Sequence, residues 1–218
     1  MAAVLRSRIQ SCPGAEQIPD PGSRGGGISI RRQRAFLKKC RITVIGSDNE
    51  IVFGDRNYLE GCRIFIKGSH NRVVLGDLVC AYSLTIHVED DGNEVHIGHK
   101  VLFAGTTELA CIEGTKIQVG SGCLFSSGVS VRTGDSHSIV SCQDGGRLNP
   151  SADIRICDRV WLGRNVTLLK GAFVPADVVV GEGSIVTQGL RTANTVVAGI
   201  PAKVIREGIR WCHERISS

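Results

Sequence analysis

The aliphatic positions in the second half of the chain repeat every six residues. From Ile156 the sequence divides into the hexads ICDRVW, LGRNVT, LLKGAF, VPADVV, VGEGSI and VTQGLR. The first residue of every hexad is aliphatic, and the fifth is small or β-branched until Leu190 ends the series. A period of six fits neither an alternating strand nor an α-helix. It predicts a solenoid in which three short strands form one triangular coil, with an aliphatic side chain pointing inward on each side.

A longer repeat occupies the first half of the chain. GSDNEIVFG, which starts at Gly46, is echoed by GSHNRVVLG from Gly68, and weaker copies start at Asp90 and Ile112. Each copy starts 22 residues after the previous one. Because 22 is three hexads plus four residues, each early coil should carry a turn extension at its Gly/Asn corner. The asparagines of this corner suit turn positions with a positive φ: Asn49, Asn71 and Asn93.

The repeats divide the chain into three parts. Residues 41–190 form the predicted solenoid, which residues 134–153 interrupt, since that segment keeps no hexad and contains Gly, Pro, Asn and Asp. A long loop on a regular scaffold is usually functional. In the C-terminal extension, residues 191–218, we expect a short helix that caps the last coil, because four apolar residues recur there at helical spacing: Ile205, Ile209, Cys212 and Ile216.

Most of the net charge lies in residues 1–40. The whole chain has a formal net charge of +5, whereas its first 40 residues alone sum to +6 and the remaining 178 to −1. The near-neutral body lacks the basic surface of a nucleic-acid-binding protein. Residues 1–30 are rich in Gly, Pro and Ser, which predicts disorder. The basic segment RRQRAFLKK, residues 31–39, is either a solvated tail or a weak contact with a membrane surface.

The cysteines and the hydropathy of the chain indicate the cellular compartment of the protein. The nine cysteines show neither CxxC pairs nor the spacing of metal ligands, which is typical of reduced thiols that serve as small buried side chains. No apolar segment approaches the ~18 residues of a membrane span, and the N-terminus lacks the continuous apolar core of a secretory signal. We therefore expect a cytoplasmic protein without a metal centre.

The hexads and three further segments together resemble the hexapeptide-repeat acyltransferases. These segments are TGDSHSI, RVWLGRNVTLLKG and GIPAKVIREGIRW. Within that family the chain is similar to bacterial O-acetyltransferases of capsular and surface polysaccharides, including those of the sialic-acid type. The resemblance is strong over residues 119–211, general over 42–118 and absent over 1–40. It implies a left-handed parallel β-helix, a homotrimer with active sites between subunits, acetyl-CoA as co-substrate and a glycan hydroxyl as acceptor.

Acetyl transfer to a hydroxyl needs a base for the hydroxyl proton and a donor for the oxyanion. Histidine suits the first role because its ordinary pKa, about 6.5, leaves it mostly neutral at cytoplasmic pH. Of the six histidines, only His137 lies in the irregular loop, and the resemblance implies that it is the catalytic base. Asp135 either orients His137 or caps the turn at Gly134. Arg147 and Asn149 either hydrogen-bond to the sugar or fix the loop.

Trp161 stands just before the inward-pointing Leu162, at an outer position where an indole needs something to pack on. The resemblance implies that this side chain faces the thioester arm of the coenzyme and helps to form the acetyl site. Packing under the loop is the alternative, and the two are compatible. The resemblance also implies five further coenzyme contacts: Arg164, Glu182, Thr187, Lys203 and Arg206. The cations Lys203 and Arg206 suit a 3′-phosphate.

Other functions stay open at this point. The same scaffold could acetylate a small metabolite or a nucleotide-linked amino sugar, or it could bind sugars without catalysis. Some left-handed β-helices are zinc carbonic anhydrases, which need three converging histidines. His96 and His99 do not suit that role, because residues three apart on a strand point to opposite faces.

Overall fold

The computed structural model describes residues 28–217 and shows an all-β solenoid. Three strands form one coil, and each strand pairs in parallel with the equivalent strands of the neighbouring coils. Seven coils stack in this way, and a terminal hairpin follows the last one. Residues 28–217 contain no helix, and hence none long and apolar enough to cross a membrane.

The first four coils contain twelve strands. They are β1 (Ile28–Arg32), β2 (Phe36–Lys38), β3 (Arg41–Ile45), β4 (Asn49–Phe53), β5 (Tyr58–Glu60), β6 (Arg63–Lys67), β7 (Arg72–Leu75), β8 (Cys80–Tyr82), β9 (Leu84–Glu89), β10 (Glu94–Ile97), β11 (Leu102–Phe103) and β12 (Thr107–Ile112). The later strands are β13 (Lys116–Val119), β14 (Leu124–Phe125), β15 (Val129–Arg132), β16 (Ile154–Ile156), β17 (Trp161–Leu162), β18 (Thr167–Leu168), β19 (Phe173–Val174), β20 (Val179–Val180), β21 (Ile185–Val186), β22 (Thr195–Gly199) and β23 (Ala202–Glu207).

The strands form three faces. Face A contains β1, β4, β7, β10, β13, β16 and β19. Face B contains β2, β5, β8, β11, β14, β17 and β20, followed by β22 and β23. Face C contains β3, β6, β9, β12, β15, β18 and β21. Since the chain visits A, B and C in turn, each coil has one corner between each pair of faces.

The strand register reproduces both repeat lengths. Val95 pairs with Ile117, 22 residues later, whereas Leu162 pairs with Val180, 18 residues later. The second spacing is three hexads without an extension. Between Ile117 and its partner Ile154 the spacing rises to 37, because the long loop is inserted in this coil.

The inward positions of the hexads form the core. The first and fifth residues from Ile156 to Val186 are buried, with an exposed fraction of at most 1%. Phe53, Phe103 and Phe125 fill the axis of the earlier coils. Each fully buried aliphatic or aromatic side chain contributes about 1.5–3 kcal/mol relative to an exposed one. The hydrophobic period therefore fixes both the fold and its stability.

The regular spacing of the corner asparagines has a different cause from the one that the sequence predicts. Asn49, Asn71 and Asn93 are buried, and the positive φ angles belong to neighbouring residues. Each side-chain oxygen accepts a hydrogen bond from the backbone N–H one coil later, at 3.0 Å from Asn71 and 2.8 Å from Asn93. Thr115 continues the ladder, donating its N–H to Asn93 at 3.1 Å. The asparagines thus satisfy buried backbone donors between coils.

The solenoid begins earlier than the repeats predict. β1 and β2 belong to its first coil, although the sequence assigns residues 28–40 to a disordered segment and a basic tail. The remainder of that segment, residues 1–27, lies outside the described residues. Three cations of residues 31–39 form ion pairs with carboxylates of the second coil, and cross-strand ion pairs of this kind stabilise strand pairing. The ion pairs are Arg31–Glu50, Arg34–Asp55 and Lys38–Glu60.

The expected C-terminal helix is absent from the described residues. β22 and β23 instead form an antiparallel hairpin that extends face B beyond the last coil. Ile205, which the helical spacing would bury, is 66% exposed on β23. Pairing with β22 satisfies the backbone of β23 directly, whereas a helix would leave the edge of β22 open. The cap predicted for this end is therefore made of strands.

Candidate active site

The long loop leaves the solenoid after β15 and returns at β16, at the corner between faces C and A. Its two ends are joined at the base, where the Ala152 N–H donates to the Thr133 carbonyl at 2.9 Å. Farther out, the Leu148 N–H donates to the Ile139 carbonyl at 2.7 Å. His137 lies between these two links and is exposed. His137 is therefore exposed to solvent on a loop whose two ends are joined by a hydrogen bond.

Asn149 is the polar centre of this loop. Its side chain is buried, with an exposed fraction of 6%. The amide nitrogen donates to the His137 carbonyl and to Asp135 Oδ2, both at 2.8 Å. The amide oxygen accepts the Ile139 N–H at 2.6 Å. These bonds occupy the amide within the loop, so the geometry favours a role in fixing the loop over direct contact with a sugar.

We expect Asn149→Ala to loosen the loop without unfolding the solenoid. Each hydrogen bond to a buried partner contributes about 1 kcal/mol, so the Ile139 amide should exchange its hydrogen at least about tenfold faster in the variant. Hydrogen-exchange mass spectrometry resolves this segment from the coils. Leu148→Ala is the matched control, since Leu148 is exposed and contributes only its backbone to the loop. Equal exchange in the two variants would show that the amide does not hold the loop.

The charged residues of the loop pair with the solenoid below it. Lys170 Nζ contacts Asp135 Oδ2 at 2.5 Å, and this ammonium, together with Asn149, lowers the pKa of the Asp135 carboxyl. Arg147 donates to Glu113 at 2.8 Å and lowers the pKa of that carboxyl. Asp135 is thus bonded to Lys170 and Asn149 in this structure. Lys170 and Asn149 each help to fix the stretch of loop that carries His137.

Trp161 lies at the start of β17, on the outer side of face B, and is 36% exposed. Its indole N–H donates to Ser126 Oγ at 3.3 Å. Trp211, from the segment after β23, contacts it with a ring-centroid separation of 5.9 Å. Neither partner comes from the loop, so the alternative in which Trp161 packs under the loop does not describe these contacts.

The other candidate coenzyme residues are distributed over two corners and the hairpin. Strand register places Arg206 in line with Trp161 along the outer side of face B, through two intervening valines. Arg164 and Glu182 occupy stacked turns at the corner between faces B and C, where the Arg164 carbonyl accepts the Gly183 N–H at 2.8 Å. The rest are exposed elsewhere: Lys203 on β23 and Thr187 just after β21.

The structure therefore separates the predicted residues into two groups. The loop group, with His137, Asp135, Arg147 and Asn149, lies at the corner between faces C and A. The second group contains the candidate coenzyme residues: Trp161, Lys203 and Arg206 lie on face B, across face A from the loop, Arg164 and Glu182 lie at the corner between faces B and C, and Thr187 follows β21 on face C. Four further residues that sequence reasoning missed hold these groups in place: Glu113, Lys170, Ser126 and Trp211. Residues 28–217 contain no cluster of three or more His, Cys, Asp or Glu side chains that could hold a metal ion.

Comparison with known sequences finds relatives over part of the chain. The putative lipopolysaccharide biosynthesis O-acetyl transferase WbbJ of Escherichia coli K12 is 49% identical over 57 residues, which are 26% of this chain and 29% of that protein. A polysialic acid O-acetyltransferase of Neisseria meningitidis is 34% identical over 84 residues, 38% of this chain and 39% of that protein. The matched segments thus span less than two fifths of these relatives' length. No family model matches the chain.

Comparison with solved structures extends the similarity to nearly the whole chain. The crystallographic structure of the polysialic acid O-acetyltransferase OatWY superposes with a TM-score of 0.77 and 29% sequence identity. The match covers 87% of this chain and 93% of that one. It confirms the predicted left-handed parallel β-helix and the resemblance that the hexads and the loop indicate.

Proposed function

Since the chain has the fold and the relatives of the hexapeptide-repeat acyltransferases, we propose that it is an O-acetyltransferase acting on a hydroxyl of a cell-surface or capsular glycan. The structural match to the polysialic acid O-acetyltransferase OatWY over most of both chains carries this proposal. The irregular loop that displays His137 supports it, because a base for a hydroxyl proton must reach a solvent-accessible substrate.

Transfer of radiolabelled acetyl to a panel of sialylated and neutral glycans tests the acceptor class. The proposal expects turnover with at least one polymer or oligosaccharide. Turnover only with small metabolites or nucleotide-linked amino sugars would select the alternative acetyltransferase on this scaffold. Glycan binding without any transfer or hydrolysis of acetyl-CoA would select a non-catalytic sugar-binding solenoid.

In this mechanism His137 accepts the hydroxyl proton as the oxygen attacks the thioester carbonyl. Trp161 lies beside the acetyl group, where its ring packs on the thioester arm. Asn149 acts from within the loop, by holding the His137 backbone, and Lys170 holds Asp135. The reaction forms one ester bond, breaks one thioester bond and returns the proton to the thiolate of coenzyme A.

Acetyl-CoA is the proposed donor, and its phosphates have two candidate contacts. Lys203 and Arg206 are exposed on β23, and Arg206 is in register with Trp161. An extended coenzyme could therefore lie along face B with its reactive end at Trp161. Arg164 and Glu182 border this path, with Glu182 contributing through its backbone. Thr187 follows β21 at a different corner, so it would contact a coenzyme held by a neighbouring subunit.

Replacing both Lys203 and Arg206 with Ala should weaken coenzyme A binding about tenfold and leave dephospho-coenzyme A nearly unchanged, because exposed charge-assisted hydrogen bonds to the 3′-phosphate are lost. Isothermal titration with the two ligands measures the difference. The double variant Arg41→Ala, Arg63→Ala removes the same charge from exposed positions of the first coils and should change neither affinity. Equal losses for both ligands would place the cations away from the 3′-phosphate.

The active assembly that we propose is a homotrimer. Outer positions of face B are apolar in two successive coils, at Leu102 and Leu124, and threefold packing would bury them. A trimer would also bring the loop of one subunit towards face B of the next. We place the reaction in the cytoplasm, a reducing compartment that suits the free thiols of the described cysteines.

A further inference from the structure

The segment after β23 turns back over the solenoid. We call residues 208–213 the C-terminal strap. It starts at Gly208, which has a φ of +71°, a conformation that glycine adopts at little cost. Ile209 and Asn194 then exchange two hydrogen bonds, from the Ile209 N–H at 2.9 Å and from the Asn194 amide at 3.2 Å. The strap therefore has a defined attachment just before it reaches face B.

Trp211 is the residue that the strap delivers. Its indole N–H donates to the Arg159 carbonyl at 2.6 Å, at the corner that leads into β17. Its ring lies against Trp161 with a centroid separation of 5.9 Å and an interplanar angle of 48°. His213 packs edge-on against Trp211, with ring centroids 4.8 Å apart. These separations lie within the 4.5–7 Å range typical of attractive aromatic pairs.

Trp161 is thus held from two sides, by the Ser126 hydroxyl and by the Trp211 ring. A partly exposed indole without such supports samples several rotamers, and fixing one of them on ligand binding costs free energy. Ser126 restrains only the N–H edge. The ring contact with Trp211 restrains the plane of the indole, which is the surface that a thioester arm would meet.

We propose that Trp211 is a positioning residue for the acetyl-donor site: its ring contact sets the orientation of Trp161, so that the C-terminal strap forms part of that site. This inference rests on the proposed function, because it takes Trp161 as the wall of the donor site. It adds a residue that does not touch the reacting atoms, and its effect is therefore on donor binding more than on the chemical step.

Tryptophan emission tests the ring contact without any assay of activity. The chain has two tryptophans, so Trp211→Phe and Trp211→Ala each leave Trp161 as the single emitter. We expect acrylamide to quench Trp161 about twofold more in Trp211→Ala than in Trp211→Phe, because Phe retains an aromatic contact and Ala exposes the ring. Equal quenching in the two variants would overturn the proposal.

Donor kinetics test the consequence for the site. Trp211→Ala should raise the KM for acetyl-CoA about three- to tenfold with kcat within about twofold, as expected for loss of one aromatic pair, and Trp211→Phe should restore most of the affinity. Phe173→Ala, which removes a similarly exposed ring from face A, is the control and should leave KM unchanged. An unchanged KM in Trp211→Ala would overturn the inference alone. Failure of the wild-type protein to bind acetyl-CoA would overturn the proposed function as well.

Discussion

His137→Ala should lower kcat by roughly 10²–10⁴-fold, the usual contribution of a general base, and leave the KM for acetyl-CoA nearly unchanged. The physical reason is that no other side chain in the loop can accept a hydroxyl proton as readily at neutral pH. Asp135 already binds the Lys170 ammonium and the Asn149 amide, and both interactions stabilise its charged form and make it a weaker base. Steady-state kinetics with the accepted glycan measure the loss.

The structure indicates that His137→Ala changes the catalytic group without changing the fold. Asn149 holds His137 by its backbone carbonyl, and the imidazole is exposed, so alanine preserves the loop and the solenoid. His137→Asn should be as inactive as His137→Ala, because an amide fills the space but does not act as a base. His96→Ala, on the exposed side of β10, should retain full activity. Turnover of either His137 variant within a few-fold of wild type would remove the general-base assignment.

The solenoid was predictable because its core repeats in the sequence at the period of its coils. Every inward position from Ile156 to Val186 is read directly from the hexads, and the 22-residue echoes give the pairing of Val73 with Val95. Stacked coils place equivalent residues above one another, so a local repeat determines long-range contacts. This relation is unusual among β-proteins, where most strand pairing is not visible as a repeat.

The ends of the solenoid were not predictable in this way, because terminal coils depart from the repeat. Residues 28–38 pair with the second coil through alternating side chains and ion pairs, without the echoed Gly/Asn corner. The four apolar residues at helical spacing start at Ile205, yet Ile205 lies on β23, which pairs with β22 in a hairpin. In both places the partner strand determines the structure, and tertiary pairing overrides local periodicity.

Within the candidate site, motif and resemblance indicate the candidate catalytic residues but miss those that support them. Trp161 and His137 stand out by type and position in the sequence. Lys170, Ser126 and Trp211 are separated by about 35 to 50 residues from the groups that they contact, and nothing local links such pairs. The structure also shows Asn149 buried and hydrogen-bonded within the loop, which cannot be read from an asparagine in a polar loop.

Mixing two inactive variants, His137→Ala and Trp161→Ala, should restore activity if each site is shared between subunits. The geometry motivates this expectation. On one chain His137 extends from the corner between faces C and A, where the loop contacts Glu113 and Lys170. Trp161 lies on face B, with Ser126 and Trp211 as partners. A base and the donor wall must meet within hydrogen-bonding reach of one substrate, and threefold packing is the arrangement that would place the loop of one chain beside Trp161 of another.

In trimers formed at random from equal amounts of the two chains, about a quarter of the interfaces combine an intact loop from one subunit with an intact Trp161 from its neighbour. We therefore expect about a quarter of wild-type turnover after the variants are unfolded together and refolded, and almost none when each is refolded alone. If both residues act within one chain, every site in the mixture keeps one defect and activity stays at the level of the single variants. Sedimentation of the refolded mixture, with one variant carrying a mass tag, checks that mixed trimers form. A wild-type species that has the mass of one chain and is fully active at the concentration of the mass measurement would contradict the shared site. The reason is that a monomer offers Trp161 no loop from a neighbour.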